Sequence, residues 1–93
     1  MSTDDSTALY ERLIAKNGDS MQLDIAVEEL SELTKEIIKY KRGKGDLIGI
    51  AEEIVDVLIM IDQVKMICNV REEDIERWRK CKIEYIREMA AEC

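Results

Sequence analysis

The stretch from Ala51 to Ile61, Ala-Glu-Glu-Ile-Val-Asp-Val-Leu-Ile-Met-Ile, constrains this chain more than any other, because every residue from Ile54 onward is apolar except Asp56. A helix apolar over most of its circumference is a buried helix. A lone carboxylate within it is expensive unless it is paired or bound to a cation. Upstream stands a near copy: Glu28-Glu29-Leu30-Ser31-Glu32-Leu33 matches Glu52-Glu53-Ile54-Val55-Asp56-Val57. Residues three apart share a helix face. Glu29 with Glu32, and Glu53 with Asp56, therefore form two acidic pairs, and the pattern predicts four carboxylates meeting between two helices.

No segment alternates as a strand does, Pro is absent, and Gly residues break the helical patterns, so the chain reads as all-α. We expect one domain, 1–93, folded as an antiparallel helical bundle of about four helices and completed by oligomerisation. Helix one spans roughly Ser6 to Lys16, with Leu9, Leu13 and Ile14 on one side. Asn17-Gly18-Asp19 ends it, and Ser20 is placed to cap the next. Helix two runs from about Met21 to Lys41 with the stripe Leu23, Ala26, Val27, Leu30, Leu33, Ile37 and Ile38. Arg42 to Asp46 is a short connection that makes the flanking helices antiparallel neighbours, with Asp46 as a cap.

Helix three extends from about Leu47 to Cys68. One apolar stripe is Leu47, Ile50, Ile54, Val57, Leu58, Ile61 and Val64. A second set, Ile48, Val55, Ile59 and Met66, lies about 100° round the axis. One face serves the chain's own core and the other a partner subunit, because a chain this short buries only a modest core. Helix four begins near Arg71 or Glu72 and reaches about Ala91. Ile75, Trp78, Ile86, Met89 and Cys93 line one side, with Lys82 in the middle of that stripe.

The chemistry is bounded by what is missing. With no His there is no His-based triad, no His-containing zinc site and no Glu-x-x-His di-iron site. Cys68, Cys81 and Cys93 are odd in number and widely spaced, which reads as reduced thiols in a cytoplasm. Met1 to Thr7 is polar and acidic, unlike a signal peptide, and the acidic and basic residues of helix three rule it out as a membrane span. A net charge of −7 argues against a nucleic-acid polymer as partner. A small nucleotide carried with a divalent cation stays compatible, because the cation reverses the local field. All-oxygen ligands select a hard ion, Mg²⁺ or Mn²⁺, at Glu29, Glu32, Glu53 and Asp56. Each pair taken alone also fits a solvated helix face, which suits Glu29 and Glu32 better than Asp56.

With these motifs the chain resembles the MazG-like all-α nucleoside triphosphate pyrophosphohydrolases. Their Glu-x-x-Glu, spacer, Glu-x-x-Asp pattern appears as Glu29-Leu30-Ser31-Glu32 and Glu53-Ile54-Val55-Asp56. The flanks Ala26 to Leu33, Lys39 to Lys44 and Ala51 to Gln63, and the late Lys82-Ile83, extend the likeness over roughly Gln22 to Ile86. The resemblance implies Mg²⁺-dependent hydrolysis of a nucleoside triphosphate to monophosphate and pyrophosphate, metal binding by the four carboxylates, and a homodimer or homotetramer. Short relatives often carry Arg three residues after the late Lys. Here that position is Tyr85, which leaves the phosphate contact absent or supplied by Arg79 or Arg87.

Such chemistry asks for a charged clamp and in-line positioning. Glu32 and Glu53 are the candidate catalytic carboxylates, either of which could take a proton from the attacking water. Lys82 would neutralise the leaving pyrophosphate, or else snorkel to solvent. Lys39 and Arg42 are outer substrate-binding candidates, or simply a solvated helix end. Trp78 either stacks on a base or fills the core. The competing class is a non-enzymatic helical oligomerisation module, which predicts a Lys or Arg partner for Asp56. Within the resemblance, a nucleoside diphosphate or a phosphoribosyl nucleotide is an alternative substrate.

Overall fold

A computed structural model describes residues 4–91. The described residues form four helices and no strand: α1 (Asp4–Asn17), α2 (Asp19–Lys41), α3 (Leu47–Cys68) and α4 (Glu72–Ala91). The all-α expectation holds, and the α3 limits match those read from the sequence.

The first helix break differs from expectation. Ser20 is not the cap; the N-cap position of α2 is Gly18, and no side chain caps it. Gly18 sits at φ +91°, a conformation open to a residue without Cβ. Its N–H donates to the Ile14 carbonyl (2.7 Å), and its own carbonyl accepts from the Gln22 N–H (3.2 Å). One glycine thus makes the whole turn, so α2 starts at Asp19 and Ser20 lies inside its first turn. The other ends follow local chemistry. Asp46 Oδ1 accepts from the Gly49 N–H at 2.6 Å and caps α3. Asn69, at φ 56°, closes α3 in the left-handed conformation.

α2 and α3 form an antiparallel hairpin whose register is marked by three polar layers, seven residues apart on each helix. At the open end the Gln22 Nε2 donates to Gln63 Oε1 at 2.7 Å, and both residues are fully buried. In the middle Glu29 meets Glu53 and Asp56. Near the connecting loop Glu36 faces Gly49, where an added Cβ would stand only 3.1 Å from the Glu36 carboxylate. Between the layers Ala26, Val57 and Met60 are buried. α1 packs across the open end of the hairpin, and the Asn17 Nδ2 donates to Gln22 Oε1 at 2.8 Å.

The seam therefore takes in only part of the apolar stripes, Ala26 and Val57 among them. Val27 is 65% exposed and Ile48 82%, and both sets on α3 remain largely open. Among the described residues α4 packs against no other helix. An ion pair between Lys65 and Glu72 (2.9 Å) joins its first turn to the end of α3, and beyond that the helix projects freely. Trp78 is 63% exposed, so it is no part of this chain's core, and Cys93 lies outside the described residues. A single chain thus builds a three-helix unit with an outlying fourth helix. Its accessible surface is 7531 Å², about 2,000 Å² above that of a compact chain of this size. Its radius of gyration is 16.1 Å, against about 12 Å for a compact one. No helix among the described residues is long and apolar enough to cross a membrane.

Candidate metal centre

The middle layer of the hairpin is an acidic cluster. One carboxylate oxygen from each of Glu29, Glu53 and Asp56 lies within 4.8 Å of the others, and all three residues are half-buried. Glu29 comes from α2 and the other two from α3, so the site exists only because the hairpin closes in this register. Glu53 and Asp56 are three apart on one helix, which aims both at the same neighbour.

Three features make this cluster unlike a solvated acidic face. Glu53 Oε1 is wholly shielded from solvent and has no hydrogen-bond partner. None of the three carboxylates has a Lys or Arg partner among the described residues. The charges also act on one another: burial, and after it the neighbouring Asp56 charge, pushes the Glu29 and Glu53 carboxyls above their ordinary value. Desolvation and like charge both disfavour the ionised form. A cation placed among the three would reverse both effects. The donor set suits a hard dication, having oxygen alone and no imidazole or thiolate.

The fourth predicted ligand stands at the margin. Glu32 is half-exposed, lies outside the group of converging oxygens and pairs with Lys35 at 3.6 Å. Its charge nonetheless contributes to raising both Glu29 and Glu53.

The candidate substrate-binding residues are not drawn to the cluster within one chain. Lys39 is engaged by Glu36 at 3.1 Å, and Arg42 lies at the hairpin tip, about 20 Å along α2 from Glu29. Lys82 and Trp78 meet each other on α4, with the Lys82 Nζ 5.6 Å from the indole centroid. That is a cation–π distance, and it holds the ammonium over an exposed ring. Of the cations proposed to replace the missing arginine, Arg79 pairs with Glu76 at 3.8 Å and Arg87 pairs with Glu84.

Sequence reasoning missed Gln22 and Gln63, the two most buried polar side chains. The signal was present as a seven-residue step, Gln22 to Glu29 to Glu36 on one helix and Gln63 to Asp56 to Gly49 on the other. Apolar periodicity does not mark a seam made of polar residues. Among known proteins, no family, no curated sequence and no solved structure matches this chain.

Proposed function

We propose that this protein is a Mg²⁺-dependent nucleoside triphosphate pyrophosphohydrolase of the MazG-like kind, acting as a homo-oligomer and releasing nucleoside monophosphate and pyrophosphate. The single observation that carries the metal part is the buried, unpartnered Glu53 Oε1, on a carboxylate that converges with two others. The nucleotide part rests on the motif spacing and flanking residues.

In this reading Glu29, Glu53 and Asp56 hold the cation, with Glu32 at its edge. When bound, Mg²⁺ would supply Lewis-acid polarisation of phosphate oxygens and lower the pKa of water beside it. The chain's own residues do the rest. Glu53 or Glu32 accepts the proton of the attacking water. Lys82 neutralises the pyrophosphate, Trp78 offers a stacking face to the base, and Lys39 with Arg42 lies outermost. The excess surface of about 2,000 Å² suits an oligomer, since obligate dimers commonly bury 2,000 Å² or more in total. Cys68 and Cys81 are free and exposed, which fits a reducing cytoplasm.

Pyrophosphate release from a panel of ordinary and modified triphosphates, with Mg²⁺ or with chelator, tests the proposal. Activity that needs Mg²⁺ and fails in both Glu53→Gln and Asp56→Asn is expected. Undiminished Mg²⁺-dependent release by both variants would end it.

The open apolar faces favour a second reading, a helical oligomerisation module without catalysis. That reading calls for a Lys or Arg beside Asp56, and among the described residues there is none. It also requires a melting temperature indifferent to Mg²⁺, whereas a site-bound ion raises it by mass action.

A further inference from the structure

We propose that α4 of one copy lies across the α2–α3 hairpin of a second copy and brings Trp78 and Lys82 to the second copy's acidic layer, so that each site is built from two chains. The inference rests on the metal reading above for what Lys82 meets, and adds which surface of which copy completes the site.

α4 is the unresolved cost in this fold. Its outer stripe carries Ile75, Trp78, Lys82 and Ile86, and no other helix among the described residues packs on it. The elbow at Asn69 to Arg71 is short and open, so α4 leaves the hairpin without turning back onto it. The acidic layer stands about 18 Å along α3 from that elbow, and Lys82 about 15 Å along α4 in another direction. One chain therefore keeps its cation and its carboxylates on separate arms.

Charge and polarity say what fits the stripe. A groove of about 520 Å³ runs beside Ile75, Trp78, Arg79, Lys82 and Ile83, and the carboxylate in its lining, Asp74, is engaged by Arg71 at 3.2 Å. Lys82 sits at the centre of this apolar surface and has no carboxylate partner among the described residues. Covering the stripe removes the ammonium from water, which is tolerable only against negative charge. The complement is a surface with an acidic centre and an apolar surround. The hairpin supplies it: Glu29, Glu53 and Asp56 have no Lys or Arg partner among the described residues, and exposed Leu30, Ile54 and Val55 adjoin them in sequence. The basic segment Arg77 to Arg87 likewise complements the net-acidic hairpin. The surplus accessible area is of the size such a contact removes.

The single Trp allows a direct test with terbium as the probe ion, since Tb³⁺ takes oxygen ligands and emits when an excited indole lies close. Two full-length variants are mixed, unfolded and refolded together. One is Trp78→Phe, with the acidic layer intact; the other is Glu53→Gln with Asp56→Asn, with Trp78 intact. Neither alone should give Trp-sensitised emission. The mixture should give about a quarter of the unaltered chain's signal, because random pairing makes half of all dimers mixed, each with one complete site of two. Sensitised emission from the unaltered chain but none from the mixture would place Trp78 on its own chain's site and overturn the inference. So would Tb³⁺ binding by the unaltered chain without sensitisation. Sedimentation of Ile86→Lys decides the helix contact without any metal: dissociation to monomer supports it, and unchanged assembly removes it. If the unaltered chain binds no Tb³⁺, the metal reading falls, and the sedimentation result still judges α4.

Discussion

Two layers of the α2–α3 seam, one heptad apart, solve the same problem in opposite ways. At Gln22–Gln63 an amide donor meets an amide acceptor at 2.7 Å, and Asn17 satisfies the remaining carbonyl oxygen. At Glu29–Glu53–Asp56 there are only acceptors, and one of them is sealed from water without a partner. The first layer is closed within the chain and serves register. The second is open: it offers acceptors and no donor of its own. A third layer, Glu36 against Gly49, is neutralised locally by Lys39 at 3.1 Å. The lesson is that buried polarity is structural when its donors and acceptors balance, and points to a ligand when they do not.

The sharpest way to break this contrast is to turn the open layer into a neutral one. Glu53→Gln combined with Asp56→Asn should cut Mg²⁺-dependent pyrophosphate release on the order of 100-fold or more, the scale of losing a charged or proton-transferring group. The metal effect on stability should vanish with it. In the unaltered chain, Mg²⁺ at a hundred times its dissociation constant should add about 2.7 kcal/mol, or roughly 10 °C or more in Tm for a domain of this size. Calorimetry of the double variant should show no such shift.

The closed layer should respond to mutation but not to metal. Gln22→Leu leaves the Gln63 amide unpaired and should cost about 1–3 kcal/mol in a denaturant titration. Adding Gln63→Leu should restore most of that, with Asn17 left to water. A double variant no better than the single one would show that the pair is not a mutual amide contact.

Protons distinguish the layers too. Glu29 and Glu53 have carboxyls raised above 4.5, so above that pH the folded chain holds protons that the unfolded chain has released. Without metal, stability should therefore rise as pH falls from neutral through the raised values towards 4.5, and be lost in the other direction. Glu53→Gln should flatten this slope, and Gln22→Leu should leave it in place. The smallest effect belongs to the third layer. Lys39→Ala removes a largely exposed partner and should cost about 0.2–1 kcal/mol, less at high salt.

Much of this was legible in the chain. The Leu47–Cys68 helix, the Asp46 cap and the placing of Glu53 and Asp56 on one face all follow from local rules: periodicity, capping chemistry and the three-residue spacing of one helix face. At the N-terminus of α2, Ser20 is the better capping residue by type, but Gly18 is the residue that can make the turn. Glu32 was placed with the ligands by the same spacing rule that placed Asp56. It falls at the edge because α2 turns it outward toward Lys35 in this register. Of the apolar stripe on α2, a single chain leaves Leu30, Ile37 and Ile38 open.

The sequence by itself determined the helices, their ends and the kind of atom the acidic layer would present, because these depend on backbone and side-chain chemistry within a few residues. Only the tertiary structure decided that Gln22 faces Gln63, that Glu53 Oε1 is sealed and orphaned, and that α4 leaves the unit. Those outcomes depend on which of several faces α2 and α3 turn to each other, and the free energy that selects the face is summed over the whole seam.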